Sequence, residues 1–126
     1  MRMVGTNLGN DESGATAIEF AIVGPVFIFL LIGIFFLCMG LAVASGMQYA
    51  VEEGARCASV RTTVCSDSAT TISYAQSHYF GPSSLPAFSY DAATACGHSM
   101  TASINYTVDL GFKKISVPIT AAACFP

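Results

Sequence analysis

The stretch SGATAIEFAIVGPVFIF, residues 13–29, decides how the chain is organised because it opens a long apolar run. From Phe20 to Ala44 every residue is apolar, Gly or Pro. These residues in an α-helix would extend about 37 Å, which exceeds the roughly 30 Å of a bilayer's hydrocarbon core. The run therefore predicts a transmembrane helix over about residues 20–44, with one carboxylate, Glu19, at its edge.

The helical pattern continues beyond the apolar run, through GMQYAVEEGARCASV at residues 46–60. Apolar or small residues recur there at the spacing of one helix face, at Met47, Val51, Gly54 and Ala58. We therefore predict one continuous helix over residues 15–61, transmembrane in its first part and amphipathic in its second.

The remaining residues, 62–126, have the pattern of a small head. Capping residues after Cys65 and a stop signal at Gly81 predict a short helix over residues 68–79. Alternating apolar and polar residues predict three antiparallel strands, over about residues 87–93, 99–110 and 113–123, with Gly111 in the last turn and Pro118 at an edge or a bulge. The predicted fold class is α+β, a long N-terminal α-helix followed by a small C-terminal antiparallel β-sheet head.

Four of the five cysteines follow the apolar run, and Cys38 lies within it. An even number in a small segment indicates two disulfides and an oxidising compartment, while the spacing offers no C-x₂-C pair for zinc. Four cysteines allow three pairings, of which we favour the two bonds that pin the helix end and tie the sheet to the C-terminus, Cys57–Cys65 and Cys96–Cys124. The head is then expected outside the cytoplasm and the N-terminus inside it.

A polar leader that ends at Gly14, followed by ATAIEF and the apolar helix, resembles the class III signal of type IV pilin-like proteins. More narrowly, GATAIEFAIVGPVFIFLLIGIF at residues 14–35 is similar to the TadE-like pseudopilins of the tight-adherence (Tad/Flp) type IVb pilus system. The similarity continues through MQYAVEEGARCASV at residues 47–60. The resemblance implies a pilin-like arrangement of the long helix and the head.

The resemblance also implies roles for individual residues. Residues 1–14 would be a leader that a prepilin peptidase removes by cutting after Gly14, which leaves Ala15 as the mature N-terminus. Glu19 would be the carboxylate used in assembly, and Phe20 its aromatic neighbour. Cleavage would place the new amine one helical turn before Glu19, where an unpaired charge in a low-dielectric environment is costly.

Small residues along the helix suggest a surface for close packing between helices. Gly33, Gly40 and Ala44 recur at i, i+7 and i+11, and small residues let helix backbones approach closely. Glycine is also frequent in membrane helices in general, so both explanations stay open at this point.

Together these features predict a minor pseudopilin, not an enzyme, that takes part in assembling a Tad/Flp pilus for adherence or biofilm formation. It would cross the bacterial inner membrane once, with a cytoplasmic N-terminus and a periplasmic head. Its expected partners are the prepilin peptidase, other pilin or pseudopilin subunits, the inner-membrane assembly platform and the lipid bilayer. The sequence shows no catalytic motif, metal-ligand cluster or cofactor signature, and its five Lys and Arg residues are too scattered for a nucleic-acid surface.

Two alternatives stay open. The sequence LAVAS contains an A-x-A pattern, so signal-peptidase cleavage after Ala44 would release a small secreted protein with its disulfides. An uncleaved bitopic membrane protein with an extracytoplasmic binding head is the other. The first residue of the mature protein distinguishes the three, because it would be Ala15, Ser45 or Met1.

Overall fold

The computed structural model describes residues 12–126, except for the side chains of Glu12, Ser13 and Ala15. A long helix is followed by a short helix and three strands: α1 (Glu12–Val60), α2 (Ser68–Ser77), β1 (Ala87–Thr94), β2 (Gly97–Asp109) and β3 (Lys114–Phe125). The strands form one antiparallel sheet in the order β1-β2-β3. The predicted α+β fold class is confirmed. Most of the predicted leader, residues 1–11, lies outside the described residues.

The chain divides into two compact units, with the boundary inside α1 between Phe35 and Phe36. The described part of the first unit is helix alone, and its large apolar side chains are exposed, as for Phe20 (79%) and Phe29 (71%). Among residues 12–126, α1 is the one helix that is long and apolar enough to cross a membrane. The chain therefore fits a single-pass membrane protein.

The second unit, residues 36–126, is built on the C-terminal half of α1. One face of this half is buried, through residues that recur every three or four positions: Val43, Met47, Val51 and Ala55. They form one core with Ala75 of α2 and with three residues of the sheet, Met100, Ala102 and Ala121. The amphipathic pattern predicted for this half of the helix thus corresponds to an actual buried face.

Gly54 lies on this face where α1, α2 and β2 meet. A Cβ atom at Gly54 would overlap Sδ of Met100 and would lie 2.9 Å from Cβ of Ala75. Both neighbours are fully buried, so neither has free space into which to move. The absence of a side chain at Gly54 is what lets the three elements pack together.

The sheet presents one face to the core and a polar face to the outside. β2 and β3 pair without a register shift, from His98↔Phe125 to Asp109↔Lys114. β3 is an edge strand, which agrees with the prediction for the strand that contains Pro118, because proline lacks the N–H that a central strand needs. On β2 the exposed positions are all polar: Thr101, Ser103, Asn105, Thr107 and Asp109.

Glycines with positive φ shape both hairpins. Gly111 has φ +82° in the β2–β3 turn, where the sequence predicts a turn. Gly97 has φ +109° at the start of β2, and a Cβ atom there would overlap the carbonyl oxygen of Phe125. Both positions therefore favour glycine on conformational grounds, and Gly97 on steric grounds as well.

A capping box starts α2. Oδ1 of Asp67 accepts a hydrogen bond from the Thr70 N–H (2.8 Å), and the Asp67 N–H donates to Oγ1 of Thr70 (3.2 Å). The bond from the Thr70 N–H and a second one from Oγ1 of Thr70 to Oδ1 of Asp67 (3.1 Å) stabilise the ionised carboxylate and so lower the pKa of Asp67. The helix ends at Ser77, two residues before the predicted end, because the next two N–H groups bond to carbonyls only three residues back.

Two disulfides join the cysteine pairs favoured from the sequence. The Sγ–Sγ distance is 2.04 Å for Cys57–Cys65 and 1.92 Å for Cys96–Cys124. The first bond ties the end of α1 to the segment before α2, and the second ties the β1–β2 turn to β3. Cys38 is exposed and forms no disulfide.

We predict that Gly54→Val destabilises the second unit. The added methyl groups would have to displace Met100 and Ala75, and overpacking a filled core costs about 1–3 kcal/mol or more. Gly33→Val is the matched control, because a Cβ atom at Gly33 would meet no atom within 4 Å. Thermal unfolding of the detergent-solubilised protein, followed by near-ultraviolet circular dichroism, measures both. Equal unfolding temperatures for the two variants would contradict the packing described at Gly54.

We also predict that the two disulfides stabilise the head unequally. For sequence separations of 8 and 28, loop-closure entropy gives about 2.5 kcal/mol for Cys57–Cys65 and about 3.6 kcal/mol for Cys96–Cys124. Replacing each pair by alanines and measuring denaturant unfolding in detergent tests the order. Cys38→Ala, which breaks no disulfide, is the control. A greater loss for the shorter loop would show that loop entropy does not determine the difference.

Candidate functional site

The residues predicted for cleavage lie in the first turn of α1. The helix begins at Glu12, so the Gly14–Ala15 peptide bond lies among the first backbone groups, whose N–H donors have no partner within the helix. Gly14 is exposed, and no atom lies within 4 Å of the position its Cβ would occupy. The backbone at Gly14 is therefore open to a partner, and few helical hydrogen bonds would have to break to extend it.

Glu19 lies one turn further along, at the edge of the apolar helix. Its side chain is exposed, and apolar residues flank it in sequence, with Ile18 65% and Phe20 79% exposed. Within residues 12–126 the single ion pair is Lys114–Asp109, so Glu19 has no basic partner in the part of the chain that the structure describes. If the Gly14–Ala15 peptide bond were cleaved, the α-amine of Ala15 would lie one helical turn from the Glu19 carboxylate. The two groups could then form an ion pair on one helix face.

An apolar notch follows Glu19 on the helix surface. The ring of Phe20 lies over Gly24, with Cε1 3.8 Å from the position of a Cβ on that glycine. Phe20 and Phe27 line the notch together with Gly24 and Pro25. Proline removes one N–H from the helix ladder, which leaves the carbonyl of Ala21 without its usual partner. A neighbouring helix could pack a side chain into such a depression, since helices pack ridges into grooves.

The predicted strip of small residues is not one continuous open surface. Gly33 is exposed with no neighbour, whereas a Cβ atom on Gly40 would lie 3.6 Å from Cε1 of Tyr106 on the chain's own β2. Ala44 is half-buried. Gly33 is therefore open to another helix, but Gly40 serves packing within the head.

Polar groups in the head also make defined contacts. Nη1 of Arg61 donates to Oη of Tyr74 (3.3 Å) in a pocket of about 210 Å³ that Arg56 and Glu53 also line. Nδ1 of His78 lies 2.9 Å from the carbonyl oxygen of Tyr74. The Arg61–Tyr74 contact joins the end of α1 to α2, whereas the His78–Tyr74 contact lies within the end of α2.

A second polar contact lies where β1 and β2 pair. Oη of Tyr90 hydrogen-bonds to Nδ1 of His98, and burial together with the Asp91 charge raises the pKa of the Tyr90 phenol. Within residues 12–126 no group of three His, Cys, Asp or Glu side chains is placed to hold a metal ion.

The comparison with known families concerns the long helix. A family model described as TadE-like protein matches residues 14–56. Over these residues the chain is similar to TadE-like proteins. The resemblance inferred from the sequence is thereby confirmed, and it supports a protein associated with the Tad pilus and with pilus components in general. No curated protein and no solved structure matches the chain.

The TadE-like segment begins at Gly14 and ends at Arg56, about a third of the chain. It therefore includes Glu19, the notch around Gly24 and the α1 face that carries the head. The head itself, from residue 57 onward, lies outside the match.

Sequence reasoning missed the notch and the contact of Gly40 with Tyr106. The notch had a readable signal, because an aromatic residue, a glycine four positions on and a second aromatic three further share one helix face. The Gly40 contact had none, since it joins residues far apart in sequence.

Proposed function

We propose that the chain is a minor pseudopilin of a Tad/Flp pilus system, without catalytic activity of its own. The observation that carries the proposal is the TadE-like match that starts at Gly14 and contains Glu19 at the edge of an exposed apolar helix. The pilus would serve adherence or biofilm formation. The protein would prime or cap assembly, because it carries a folded head in addition to the long helix, whereas a repeating subunit could consist of little more than the helix.

The exposed apolar half of α1 supports a helix that is covered first by the lipid bilayer and later by neighbouring pilin helices. Side chains such as Phe27, Phe29 and Leu37 are each more than half exposed, which a helix in water would not sustain over this length. A bilayer covers these side chains before assembly, and neighbouring pilin helices cover them afterwards. Both environments have a low dielectric constant, so the carboxylate of Glu19 is stable there only if it is paired.

Cleavage after Gly14 would supply such a pairing group. The new α-amine of Ala15 can neutralise Glu19 of its own chain or of an adjacent subunit. A prepilin peptidase that acts at the cytoplasmic membrane face would thus produce the charge that assembly uses. The peptidase, the other subunits and the assembly platform are the partners that this proposal requires.

The disulfides favour the orientation with the head outside the cytoplasm. Cys57–Cys65 and Cys96–Cys124 form and persist in an oxidising compartment such as the periplasm. We therefore place the protein in the inner membrane with its N-terminus cytoplasmic, from which it is incorporated into the pilus or its base.

The packing of the head argues against release by signal peptidase. Cleavage after Ala44 would cut inside a continuous helix and would remove Val43, a fully buried core residue, from the head. It would also remove Gly40, on which Tyr106 packs. Release at this position would therefore expose core surface that the intact chain covers.

The first prediction concerns processing. In cells that contain the prepilin peptidase, N-terminal sequencing and intact mass should give a mature protein that begins at Ala15. Gly14→Leu should leave the precursor uncut, whereas Gly9→Leu, the same change within the leader, should be cut normally. A native chain that begins at Met1 would favour the bitopic alternative, and one that begins at Ser45 the secreted alternative.

The second prediction concerns the assembly carboxylate. Glu19→Gln keeps the size of the side chain and removes its charge, so the amine of Ala15 loses its partner. Leaving one member of a buried pair unpaired costs about 3–5 kcal/mol, which corresponds to at least a hundredfold loss of incorporation. The fraction of the protein that copurifies with sheared pili or crosslinks to pilus components measures it.

Glu52→Gln is the matched control for this experiment. Glu52 is exposed on the same helix, outside the apolar run, and accepts a hydrogen bond only from Gln48 (2.9 Å) among the contacts described. Both variants should be inserted and cut. Normal incorporation of Glu19→Gln would show that the carboxylate is not needed for assembly.

A further inference from the structure

The end of the β2–β3 hairpin carries apolar side chains that the head does not cover. We define the hairpin end as residues 108–117. Val108 pairs with Ile115 across the two strands, on the same sheet face as the core residue Met100. Ile115 and Val117 are 43% and 47% exposed, and neither belongs to the core. The apolar face of the sheet therefore continues beyond the core of the head.

The turn places an aromatic ring at the tip of the hairpin end. The Leu110 N–H donates to the Lys113 carbonyl (3.0 Å), which closes a two-residue loop of Gly111 and Phe112. Gly111 has the positive φ that such a turn requires at its first position. Phe112 occupies the second position and is 85% exposed. A tight turn thus presents one large apolar side chain outward.

Two lysines accompany this ring. Lys113 and Lys114 directly follow Phe112, and both are exposed. Nζ of Lys114 lies 3.4 Å from Oδ2 of Asp109, whereas Lys113 forms no ion pair within residues 12–126. The hairpin end therefore combines an exposed aromatic ring with an unpaired ammonium group beside it.

A second uncovered surface of the head is a row of aromatic rings. We define the aromatic row as Tyr74, His78, Tyr49 and Phe80. The ring centroids lie 4.3 Å apart for Tyr74 and His78, 6.5 Å for His78 and Tyr49, and 5.4 Å for Tyr49 and Phe80. Phe80 is 71% exposed and Tyr49 43%. The row thus ends in two neighbouring rings that another molecule can reach.

The aromatic row lies on the side of α1 that faces away from the sheet. Tyr49 is two positions from both Met47 and Val51, which places it opposite the buried face of the helix. The carbonyl oxygen of Phe80 lies 3.1 Å from the position that a Cβ atom would occupy on Gly46, so the segment after α2 packs directly on α1. Because α1 lies between the aromatic row and the sheet, the hairpin end does not reach the row of its own copy.

A carboxylate lies beside the aromatic row. Glu53 follows Tyr49 by four positions and therefore shares its helix face. Glu53 lines a pocket with Tyr74, Arg56 and Arg61, yet it forms no ion pair within residues 12–126. Arg56 lies a further turn along α1, and Arg61 donates to Oη of Tyr74 at the other end of the row from Phe80. The side of the row near Tyr49 thus combines exposed rings with an unpaired carboxylate.

We propose that the hairpin end of one copy docks on the aromatic row of a second copy. Phe112 packs against Tyr49 and Phe80, since aromatic pairs attract each other beyond the area that they bury. Lys113 pairs with Glu53 and lies near electron-rich ring faces, which also attract an ammonium group. Each surface supplies what the other lacks, a ring with a free cation against two rings with a free anion. This complementarity identifies a second copy as the occupant of both.

The contact joins two different surfaces, and this determines what it can build. In one respect the inference rests on the proposed function, because copies in one membrane or one fibre carry α1 in the same direction. Between such parallel copies, one hairpin end is used on the first copy and one aromatic row on the second. Each pair then retains a free surface of each kind, so the contact builds open chains and not closed dimers. A short run of copies can thus form where assembly starts.

Photocrosslinking from position 112 tests the contact. Phe112 is replaced by p-benzoylphenylalanine, which keeps an aromatic side chain, in full-length protein purified in detergent. A mixture of isotope-labelled and unlabelled copies distinguishes crosslinks between copies from those within one. We expect position 112 to join peptides of a second copy that contain Tyr49 or Phe80, with trimers as well as dimers. The same replacement at Ser103, exposed on the polar face of the sheet, is the matched control and should give little product.

Three results would overturn the inference. They are equal product from positions 112 and 103, crosslinks from position 112 to the hairpin end of the second copy, and dimers without larger products. Copurification with sheared pili is a separate measurement of the proposed function. A chain that crosslinks from position 112 to the aromatic row but is absent from pili would contradict the proposed function and not the contact.

Charge reversal gives an independent measurement. Lys113→Glu and Glu53→Lys should each reduce crosslinking from position 112 about fivefold, because each places like charges opposite each other. The two substitutions in one chain should restore most of the product. A double variant as weak as the single variants would show that Lys113 and Glu53 do not pair.

The aromatic part of the contact is tested by truncating one ring. Phe80→Ala should reduce crosslinking from position 112 about tenfold, since it removes a ring that Phe112 packs on. Val64→Ala is the matched control, because Val64 is also more than half exposed but lies outside the aromatic row. Near-ultraviolet circular dichroism should show that both variants keep the fold. Equal crosslinking of the two variants would show that Phe112 does not dock on Phe80.

Discussion

The packing of β2 along α1 is the interaction on which the rest of the head depends. Met100 on Gly54 and Tyr106 on Gly40 hold the strand beside the helix at two levels about 20 Å apart. Because β2 is the central strand, its position also determines those of β1 and β3. Ala75 brings α2 to the same glycine, Gly54. Two positions without a side chain on α1 therefore let β2 and α2 pack closely against this helix.

The small size of the core residues explains why the head also needs disulfides. Half of its buried apolar residues are alanines, among them Ala55, Ala75, Ala102 and Ala121. An alanine buries little apolar area, and a head of this size gains only a few kcal/mol from its core. The two disulfides add stabilisation of similar size by restricting the unfolded chain. Close packing at glycine and covalent bonds thus replace a larger core.

Features with a local signal could be predicted from the sequence, and features that depend on distant residues could not. The length of the apolar run predicted α1. The periodicity of residues 46–60 predicted the buried face with Met47 and Val51, and Gly111 predicted the last turn. Gly40 was a candidate for packing between subunits, with the general frequency of glycine in membrane helices as the open alternative, yet it packs against Tyr106, which lies 66 positions away in sequence. The sequence likewise gave no sign that Met100 packs so closely on Gly54 that a Cβ atom there would overlap it. For Gly14 and Glu19 the sequence predicted a position at the start of the apolar helix, while their roles in cleavage and assembly stay predictions.

In the proposed topology, Glu19 lies at the cytoplasmic end of the apolar run of α1. The run from Phe20 to Ala44 contains no charged residue, and Glu19 directly precedes it. Moving the helix outward would bring the Glu19 carboxylate into hydrocarbon, where an unpaired charge is costly. Assembly requires the outward movement, so its main electrostatic cost falls on one carboxylate, and a free amine at Ala15 is placed where it can reduce that cost.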